Sequence, residues 1–329
     1  MSHVGYIDPN YIFYIKDLKV YFTKGGFLSK PLITKALDGI NLKIRRKEVL
    51  ALVGESGSGK TTLGRTLIGL QKPTSGQVIY NRDGNNPILI DPKAKHIKKV
   101  RRELQMIYQD PYSSIDPYMK VYNAMEQPLK YAGIKSKEEI NKKIEQSLKM
   151  VGLPYDLVQN YVFQLSGGQR QRLSIARALS LDPKFLVADE PVTMLDASLK
   201  GEIVEVLSKI NKETGITILF ITHELPIAKI IANRIAVMYK GKIVEAGNAK
   251  TVLTDPLHPY TKALLEAYPR IDPTLKDTYK TVNVKEEGKI VSNGCPFYDR
   301  CPFATQKCLE QNPQLKEISS DHEVACWLY

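Results

Sequence analysis

The sequence predicts an α/β protein whose core is a parallel β-sheet covered by helices on both faces. Two observations predict it. First, short and almost wholly apolar runs, residues 185–188 and 216–221, alternate with helical segments such as residues 199–207 and 225–231. Strands that are buried on both faces have this composition, and parallel strands need a crossover between them. Second, a glycine-rich segment, residues 54–61, lies between an apolar run and a helical segment, which is the context of a phosphate-binding loop.

Length and composition indicate a folded, water-exposed protein. The chain has 329 residues, of which 43% are hydrophobic and 25% charged, and it has room for one to three domains. No apolar run approaches the length that spans a bilayer, and the N-terminus shows no signal-peptide pattern. We therefore expect a cytosolic location.

The net charge of +12 means that an acidic partner must be considered, either nucleic acid or an anionic membrane surface. The densest basic run, residues 93–102, is expected to be a solvated loop that leads into a strand. Nothing in the chain resembles a nucleic-acid module with interleaved basic and aromatic residues, so no nucleic-acid partner is expected.

Residues 54–61 have the pattern G-x-x-x-x-G-K-T and follow the apolar run 49–53. Glycines let the backbone turn tightly, so that several N–H groups point at one anion, and the helix N-terminus adds partial positive charge. In such a loop Lys60 would reach the β- and γ-phosphates of a nucleotide, and Thr61 would offer its hydroxyl to Mg²⁺. The residues expected to contact the nucleotide here are Gly54, Glu55, Ser56, Gly57, Ser58, Gly59, Lys60, Thr61 and Thr62.

Before this loop the sequence predicts a small antiparallel sheet. Residues 11–15 and 18–22 are predicted as two strands, and residues 37–44 alternate apolar and polar side chains as a half-buried strand does. Tyr21 either stacks on an adenine ring or belongs to the core of its strand, and spacing alone does not separate these alternatives.

A helical subdomain is predicted over residues 111–180. Within it, residues 137–150 have apolar positions at helical spacing, and Ser136 with Glu139 suits a capping box. After the core strands, residues 235–247 predict a closing hairpin.

Two adjacent acids, Asp189 and Glu190, end the apolar run 185–188. Asp189 would hold Mg²⁺ directly or through water, and Glu190 would polarise an attacking water. A second anion site is predicted at residues 166–169, where Ser166 can cap a helix whose first turn exposes glycine N–H groups. Because one loop already holds the phosphates, this second site is expected to close over the nucleotide of another copy or a related partner.

These motifs resemble those of ABC transporter ATP-binding subunits. Residues 165–169, L-S-G-G-Q, are similar to the signature motif of that family, Gln109 to its Q-loop, Asp196 to its D-loop and His223 to its switch histidine. Tyr21 stands where the family places its adenine-stacking aromatic residue. The resemblance covers residues 11–250.

The resemblance implies a P-loop NTPase (RecA-like) core with an antiparallel β subdomain, a helical subdomain and a C-terminal cysteine-containing extension. The implied boundaries are 11–110 with 181–250 for the catalytic core, 111–180 for the helical subdomain and 251–329 for the extension. The implied cofactors are ATP and Mg²⁺. Glu190, His223, Gln109 and Lys60 are the implied catalytic residues. Thr61, Gln109 and Asp189 are the implied magnesium ligands. The implied nucleotide contacts outside the loop are Tyr21, Gln109, Asp189, Ser166, Gly167, Gly168, Gln169 and Asp196.

A closer likeness is to the dipeptide/oligopeptide branch of that family, in particular to its second ATPase subunit. The segments that carry it are residues 25–27, 109–114, 188–192, 258–265, 294–297 and 300–304. This likeness implies a heterodimer with a related ATPase, two membrane permease subunits, an extracytoplasmic solute-binding protein and a peripheral position on the cytoplasmic face of the membrane. It implies peptide as the solute, with oligosaccharide or nickel as alternatives. A soluble ABC protein acting on DNA or ribosomes and a non-catalytic regulatory cassette are the competing hypotheses.

All four cysteines, Cys295, Cys301, Cys308 and Cys326, lie in the last tenth of the chain and are expected to act together. No C-x₂-C pair of a zinc ribbon is present, and disulfides are not expected in the cytosol. The resemblance implies a structural [4Fe–4S] cluster on the four thiolates. Zinc and free thiols remain as alternatives.

Overall fold

The computed structural model describes residues 7–25, 32–84, 87–267 and 293–329. Four stretches lie outside these ranges, residues 1–6, 26–31, 85–86 and 268–292. Three features of the sequence analysis therefore lie partly outside the described residues. They are the 25–27 segment that resembles the dipeptide/oligopeptide branch, the predicted C-terminal extension and the N-terminus in which no signal-peptide pattern was found.

Twelve strands are present in the described ranges, and they form two sheets. They are β1 (Tyr11–Lys24), β2 (Leu32–Arg45), β3 (Val49–Val53), β4 (Ser75–Asn81), β5 (Pro87–Leu89), β6 (Leu104–Ile107), β7 (Phe185–Asp189), β8 (Thr217–Thr222), β9 (Arg234–Tyr239), β10 (Lys242–Asn248), β11 (Lys316–Ser319) and β12 (His322–Val324).

The helices of the same ranges are α1 (Lys60–Leu67), α2 (Ile97–Glu103), α3 (Pro111–Ser114), α4 (Val121–Tyr131), α5 (Lys137–Met150), α6 (Gly167–Leu179), α7 (Ala197–Thr214), α8 (Leu225–Ile231), α9 (Ala249–Thr254), α10 (Pro259–Glu266) and α11 (Gln306–Glu310). Short 3₁₀ turns lie at Tyr155–Gln159, Val162–Gln164 and Tyr298–Arg300. None of the helices in the described ranges is both long and apolar enough to cross a membrane.

The smaller sheet has the order β2-β1-β4-β5 and its pairs are antiparallel, as predicted for the N-terminal region. The two strands predicted over residues 11–22 are in fact one strand, β1. Its register with β2 and β4 shifts near Asp17, whose φ is 41°. A bulge with one residue in a left-handed conformation interrupts the alternation of side chains without ending the strand, which explains the error.

The larger sheet has the order β11-β12-β10-β9-β3-β8-β7-β6, and β9 through β6 are parallel to one another. The central strand β3 is wholly buried and pairs with β8 on one side and β9 on the other. Parallel strands end at the same edge, so the segments that follow β3, β6, β7 and β8 meet there. This common edge positions the functional site.

Helices α4, α5 and α6 pack into one apolar cluster in the region predicted to be helical. Ser136 caps α5, since its side chain accepts a hydrogen bond from the backbone N–H of Glu139. The basic run 93–102 differs from its prediction, because its second half forms α2. Ile97 and Val100 of α2 are buried, three residues apart on one helical face, and the basic residues between them hid this short pattern.

The C-terminal extension is not simply appended to the core. Its strands β12 and β11 continue the larger sheet beyond β10, so the hairpin of β9 and β10 does not close that sheet. The buried carboxylate of Glu245 on β10 accepts from the backbone N–H groups of Leu257 and His258, at 2.8 and 2.9 Å, and lies 2.8 Å from Nε2 of His322. Two segments of the extension therefore meet at one carboxylate of β10.

Candidate nucleotide-binding site

The glycine-rich loop connects β3 to α1 and has no room for side chains at two of its glycines. Gly54 and Gly59 have φ angles of 155° and 105°. A Cβ atom on Gly54 would lie 2.1 Å from the carbonyl oxygen of Met238, and one on Gly59 would lie 2.2 Å from that of Ala36. Both positions require glycine, because the backbone passes directly against neighbouring backbone.

Lys60, the first residue of α1, is 4% exposed. Its Nζ donates to the carbonyl oxygens of Gly54 and Glu55, at 2.7 and 2.8 Å. Burial lowers the pKa of Lys60, and the nearby carboxylates of Glu190 and Asp189 oppose this shift. The lysine thus places a buried positive charge inside the loop, where a phosphate group would be stabilised.

Thr61 and Asp189 are brought together from α1 and the end of β7. The Thr61 hydroxyl donates to Oδ1 of Asp189 at 2.9 Å. Asp189 is 3% exposed, and burial raises the pKa of its carboxyl group. In the described ranges no group of three His, Cys, Asp or Glu side chains is placed to hold a metal ion. A hydroxyl and one carboxylate nevertheless fit Mg²⁺, which takes few protein ligands and completes its shell with phosphate oxygens and water.

Glu190 lies one residue beyond Asp189 and has a left-handed backbone, with φ of 46°. Its N–H donates to the carbonyl oxygen of Ile221 at 3.0 Å. Its Oε2 accepts from Nε2 of Gln109 at 3.2 Å and from the Thr193 hydroxyl at 3.1 Å, and lies 3.4 Å from Nδ1 of His223. The structure therefore gathers three sequence-predicted residues, Glu190, Gln109 and His223, at one carboxylate oxygen.

Thr193 is a contact of this carboxylate that the sequence prediction missed. It follows Glu190 by three residues in the segment Glu190-Pro191-Val192-Thr193. A hydroxyl residue in the turn after the acid pair was the only available signal, and such residues are common in turns for other reasons.

Tyr21 lies on the wall of the same cleft, half-buried rather than in the strand core. Its hydroxyl donates to Oδ1 of Asp38 at 2.5 Å, and Nζ of Lys35 lies 5.6 Å from its ring centroid. Burial and this hydrogen bond to Asp38 raise the pKa of Tyr21 to about 12, so the phenol is neutral at ordinary pH. A ring held at its hydroxyl end and open to the cleft can stack on a base. Asp38, which holds it, was also missed.

These groups line one open cleft of about 1530 Å³. Its lining from the predicted site consists of Tyr21, Gly54, Glu55, Ser56, Gly57, Gly59, Lys60, Thr61, Thr62, Gln109, Glu190 and His223. The extension contributes Leu264, Asn293, Gly294, Pro296 and Asn312. Ser58 and Asp189 are buried beneath this surface.

The second predicted anion site does not face this cleft. Ser166 caps α6, with its Oγ accepting from the N–H of Gln169 at 3.2 Å and its own N–H donating to Oε1 of Gln169 at 2.9 Å. Residues 166–169 and Asp196 are all described, and none of them lines the cleft. These residues therefore do not face the cleft of their own chain, and the role expected for them at the nucleotide of another copy or partner stays a prediction.

The four cysteines line a second, small cavity of about 30 Å³, together with His258. All four carry free thiols. Burial raises the pKa of the Cys295 thiol to about 12 and raises that of Cys326 as well. The four cysteines thus line one cavity, and the expectation that they act together stays a prediction.

The comparisons with known proteins identify the family. The family model for ABC transporters matches residues 37–193, and that for the oligopeptide/dipeptide transporter C-terminal region matches residues 244–308. The oligopeptide transport ATP-binding protein AppF of Bacillus subtilis is 39% identical, over 96% of this chain and 96% of its own length. The dipeptide transport ATP-binding protein DppF of Haemophilus influenzae is 38% identical over 94% of each chain. YkfD of Bacillus subtilis is 43% identical over 96% of this chain and 94% of its own.

This chain belongs to the ATP-binding proteins of ABC transporters. It is an ABC-type ATPase that combines the ABC cassette with the C-terminal region of oligopeptide/dipeptide transporters, as the sequence motifs predicted.

Solved ABC cassettes share its fold. The cassette MJ0796, solved as a dimer with ADP and Pi in a post-hydrolysis state, is 30% identical, with a TM-score of 0.62 over 72% of this chain and 98% of its own. The cassette cbiO1 from Clostridium perfringens, part of the transporter complex cbiONQ, is 32% identical, with a TM-score of 0.64 over 75% and 92%. The predicted P-loop NTPase fold is confirmed.

The buried carboxylate of Asp189 is expected to lower the folding stability of the nucleotide-free protein while allowing Mg²⁺ to bind. We expect Asp189→Asn to stabilise the nucleotide-free protein by about 1 kcal/mol at pH 8, because it removes a buried ionised group while keeping an acceptor for Thr61. The pKa of Asp189 is raised, so the wild-type carboxyl group becomes protonated as the pH falls, and the difference between the proteins should shrink.

The measurement is the thermal midpoint of both proteins at several pH values, with and without MgATP. The stabilisation by MgATP should be much smaller in the variant. An Asp189→Asn protein that is less stable than wild type without nucleotide, or equally stabilised by MgATP, would contradict this account.

Proposed function

We propose that this ABC cassette hydrolyses MgATP at the cleft and thereby drives the import of peptides through two membrane subunits. The observation that carries the hydrolytic part is the convergence of Gln109, Thr193 and His223 on Oε2 of Glu190, next to the loop that holds Lys60. A carboxylate with several partners at a phosphate-binding edge is suited to orient and polarise a water molecule.

The proposed roles follow the positions of the side chains. Lys60 binds the β- and γ-phosphates, and Tyr21 stacks on the adenine. Thr61, Asp189 and Gln109 hold Mg²⁺, which supplies charge neutralisation to the transferring phosphoryl group. Glu190 accepts the proton of the attacking water.

His223 contacts the γ-phosphate, and Gln109 reports the state of the site to the membrane subunits. Hydrolysis of this kind depends on positioning and electrostatics rather than on a covalent bond to the protein.

Completion of the site requires a second cassette. Ser166, Gly167, Gly168 and Gln169, with Asp196, lie away from the cleft of their own chain. We propose that they close over the nucleotide of a related ATPase in a heterodimer, while that partner's signature loop closes over this cleft. The dimeric state in which MJ0796 was solved supports this arrangement.

Glu190→Gln provides the test of hydrolysis. We expect the variant to bind ATP as wild type does and to lose at least about a hundredfold in turnover, since a general base contributes about 10²–10⁴. Glu205→Gln, on the exposed face of α7, is the matched control and should turn over normally. Turnover by Glu190→Gln at the control rate would remove Glu190 from this role. Absence of turnover in the wild-type protein itself would favour a non-catalytic, regulatory cassette.

The transport assignment rests on the relatives. AppF is named an oligopeptide transport protein and DppF a dipeptide transport protein. By analogy we place this chain at the cytoplasmic face of the cell membrane, held there by two permease subunits. A solute-binding protein outside the membrane would deliver the peptide. The net charge of +12 suits a position close to an anionic leaflet.

Purification from membranes tests these partners. The tagged full chain should co-purify with two hydrophobic subunits and a second ATPase, and the reconstituted assembly should take up labelled peptides in the presence of ATP. Uptake of an oligosaccharide or of nickel but not of peptides would replace the proposed solute. Recovery of the chain only with ribosomes or DNA would refute the transport assignment.

The cysteine cavity is proposed to hold a four-thiolate iron–sulfur cluster of structural role. The donor set supports this, because four thiols around one cavity are the usual ligands of a [4Fe–4S] cluster. In the described ranges the cysteines, as placed, form no group suited to hold a metal ion. The donor set is therefore the support for the cluster, and zinc and free thiols remain as alternatives.

Iron analysis tests the cluster. Anaerobically purified protein should be brown and contain about four iron and four sulfide per chain. Replacing Cys308 by Ser should lower the iron content, whereas replacing the exposed Glu310, which does not line the cavity, by Gln should not. A colourless protein with one zinc, or with no metal, would refute the cluster and leave zinc or free thiols.

A further inference from the structure

Glu55, the second residue of the phosphate-binding loop, is held from outside by the C-terminal extension. Its backbone N–H donates to the Tyr260 hydroxyl at 2.9 Å. Its carboxylate accepts from Nη1 of Arg300, with distances of 3.0 and 3.1 Å to the two oxygens. Its carbonyl oxygen accepts from Nζ of Lys60 at 2.8 Å. One residue therefore links the extension to the lysine of the nucleotide site.

The two residues that hold Glu55 are fixed by an aromatic cluster. Tyr260 is 1% exposed and its ring lies 4.5 Å from that of Tyr239 and 5.5 Å from that of Phe297, between centroids. The Arg300 guanidinium lies over both of these rings, 5.8 Å from the centroid of Tyr239 and 5.6 Å from that of Phe297. Arg300 and the Tyr260 hydroxyl thus have little freedom to move independently of this cluster.

Arg300 also belongs to the segment that carries the cysteines. Cys301 follows it directly, and the backbone N–H of Cys301 donates to the carbonyl oxygen of Phe297 at 3.0 Å. The N–H of Cys295 donates to the carbonyl oxygen of Cys308 at 2.7 Å. The position of the guanidinium is therefore set by the folded cysteine segment rather than by the ATPase core alone.

The effect of this contact is on geometry more than on stability. The Glu55 side chain is 41% exposed and that of Arg300 is 20% exposed, and ion pairs at such sites contribute little to folding. The Glu55 N–H points at Tyr260 and not into the cleft, so the extension fixes the shape of the loop at its beginning. Small displacements of such a loop have large effects on phosphate binding.

We propose that the C-terminal extension is a positioning element of the nucleotide site, in which Arg300 and Tyr260 act through Glu55 to hold the loop and Lys60 in their ATP-binding arrangement. This proposal rests on nucleotide binding at the cleft, as given under the proposed function. It assigns positioning roles to two residues outside the cassette motifs and couples the folded state of the cysteine segment to ATP affinity.

A double-mutant cycle on the full chain tests it, with the equilibrium Kd for a fluorescent ATP analogue in Mg²⁺ as the measurement. Glu55→Ala and Arg300→Ala should each raise Kd by about fivefold or more, the lower end of ordinary coupling between sites. The double variant should lose no more than either single variant, since both remove the same contact. Arg300→Lys should restore part of the affinity, and Tyr260→Phe should also weaken binding because the Glu55 N–H loses its acceptor.

Lys307→Ala is the matched control. Lys307 also lies over an aromatic ring of the extension, 3.7 Å from the centroid of Trp327, but within the described ranges it forms no hydrogen bond or ion pair with the loop. Its Kd should stay within about twofold of wild type. An Arg300→Ala protein that binds like Lys307→Ala, or losses that add in the double variant, would overturn the proposal.

The thermal midpoint without nucleotide separates positioning from folding. If the thermal midpoint of Arg300→Ala is well below that of Lys307→Ala, the weaker binding of Arg300→Ala could come from a destabilised extension. The Kd of Glu55→Ala is then the deciding measurement, because this variant leaves the extension intact. An unchanged Kd in Glu55→Ala overturns the proposal. Failure of the wild-type chain to bind the analogue would instead refute the proposed nucleotide site.

Discussion

The parallel pairing of β3 with β8 and β9 is the constraint on which the rest of the structure depends. Because parallel strands end at one edge, Gly54 and His223, which are 169 positions apart along the chain, line one cleft. Strands β3 and β8 are wholly buried, and neither contributes a side chain to the proposed site. The loops at their ends carry polar groups that the apolar sheet fixes in place.

The site buries two ionisable groups, Lys60 and Asp189, whose charged forms are destabilised by burial. Lys60 and Asp189 are almost completely buried, and burial shifts the pKa of each toward its neutral form. Among the described residues neither has an ion-pair partner within contact distance, since the lysine donates to carbonyl oxygens and the aspartate accepts from a hydroxyl. In the proposed function a phosphate–magnesium group would satisfy both at once, so that ligand binding would also relieve these unfavourable burials.

The extension is not a separate unit, because it makes contacts with the ATPase core. Its strands lengthen the main sheet, the Glu245 carboxylate ties it to β10, and Arg300 reaches the phosphate-binding loop. A boundary near residue 250 separates the ABC sequence motifs from the extension, but hydrogen bonds and strand pairing connect the two sides of that boundary. The C-terminal region that marks oligopeptide/dipeptide transporters is thereby in physical contact with the part of the chain that binds nucleotide.

The sequence by itself determined the motifs and the elements that carry them, because these depend on local spacing. The glycine-rich loop, the acid pair after β7, the cap at Ser136 and the segregation of the cysteines were all predicted from neighbouring residues. Only the tertiary structure decided which distant groups touch. Thr193 contacts Glu190, and Asp38 holds Tyr21. Arg300 and Tyr260 hold Glu55. The signature loop, residues 165–169, does not line the cleft of its own chain. Such contacts depend on how the sheets, the loops and the extension pack together, and the periodicity of the sequence does not predict this packing.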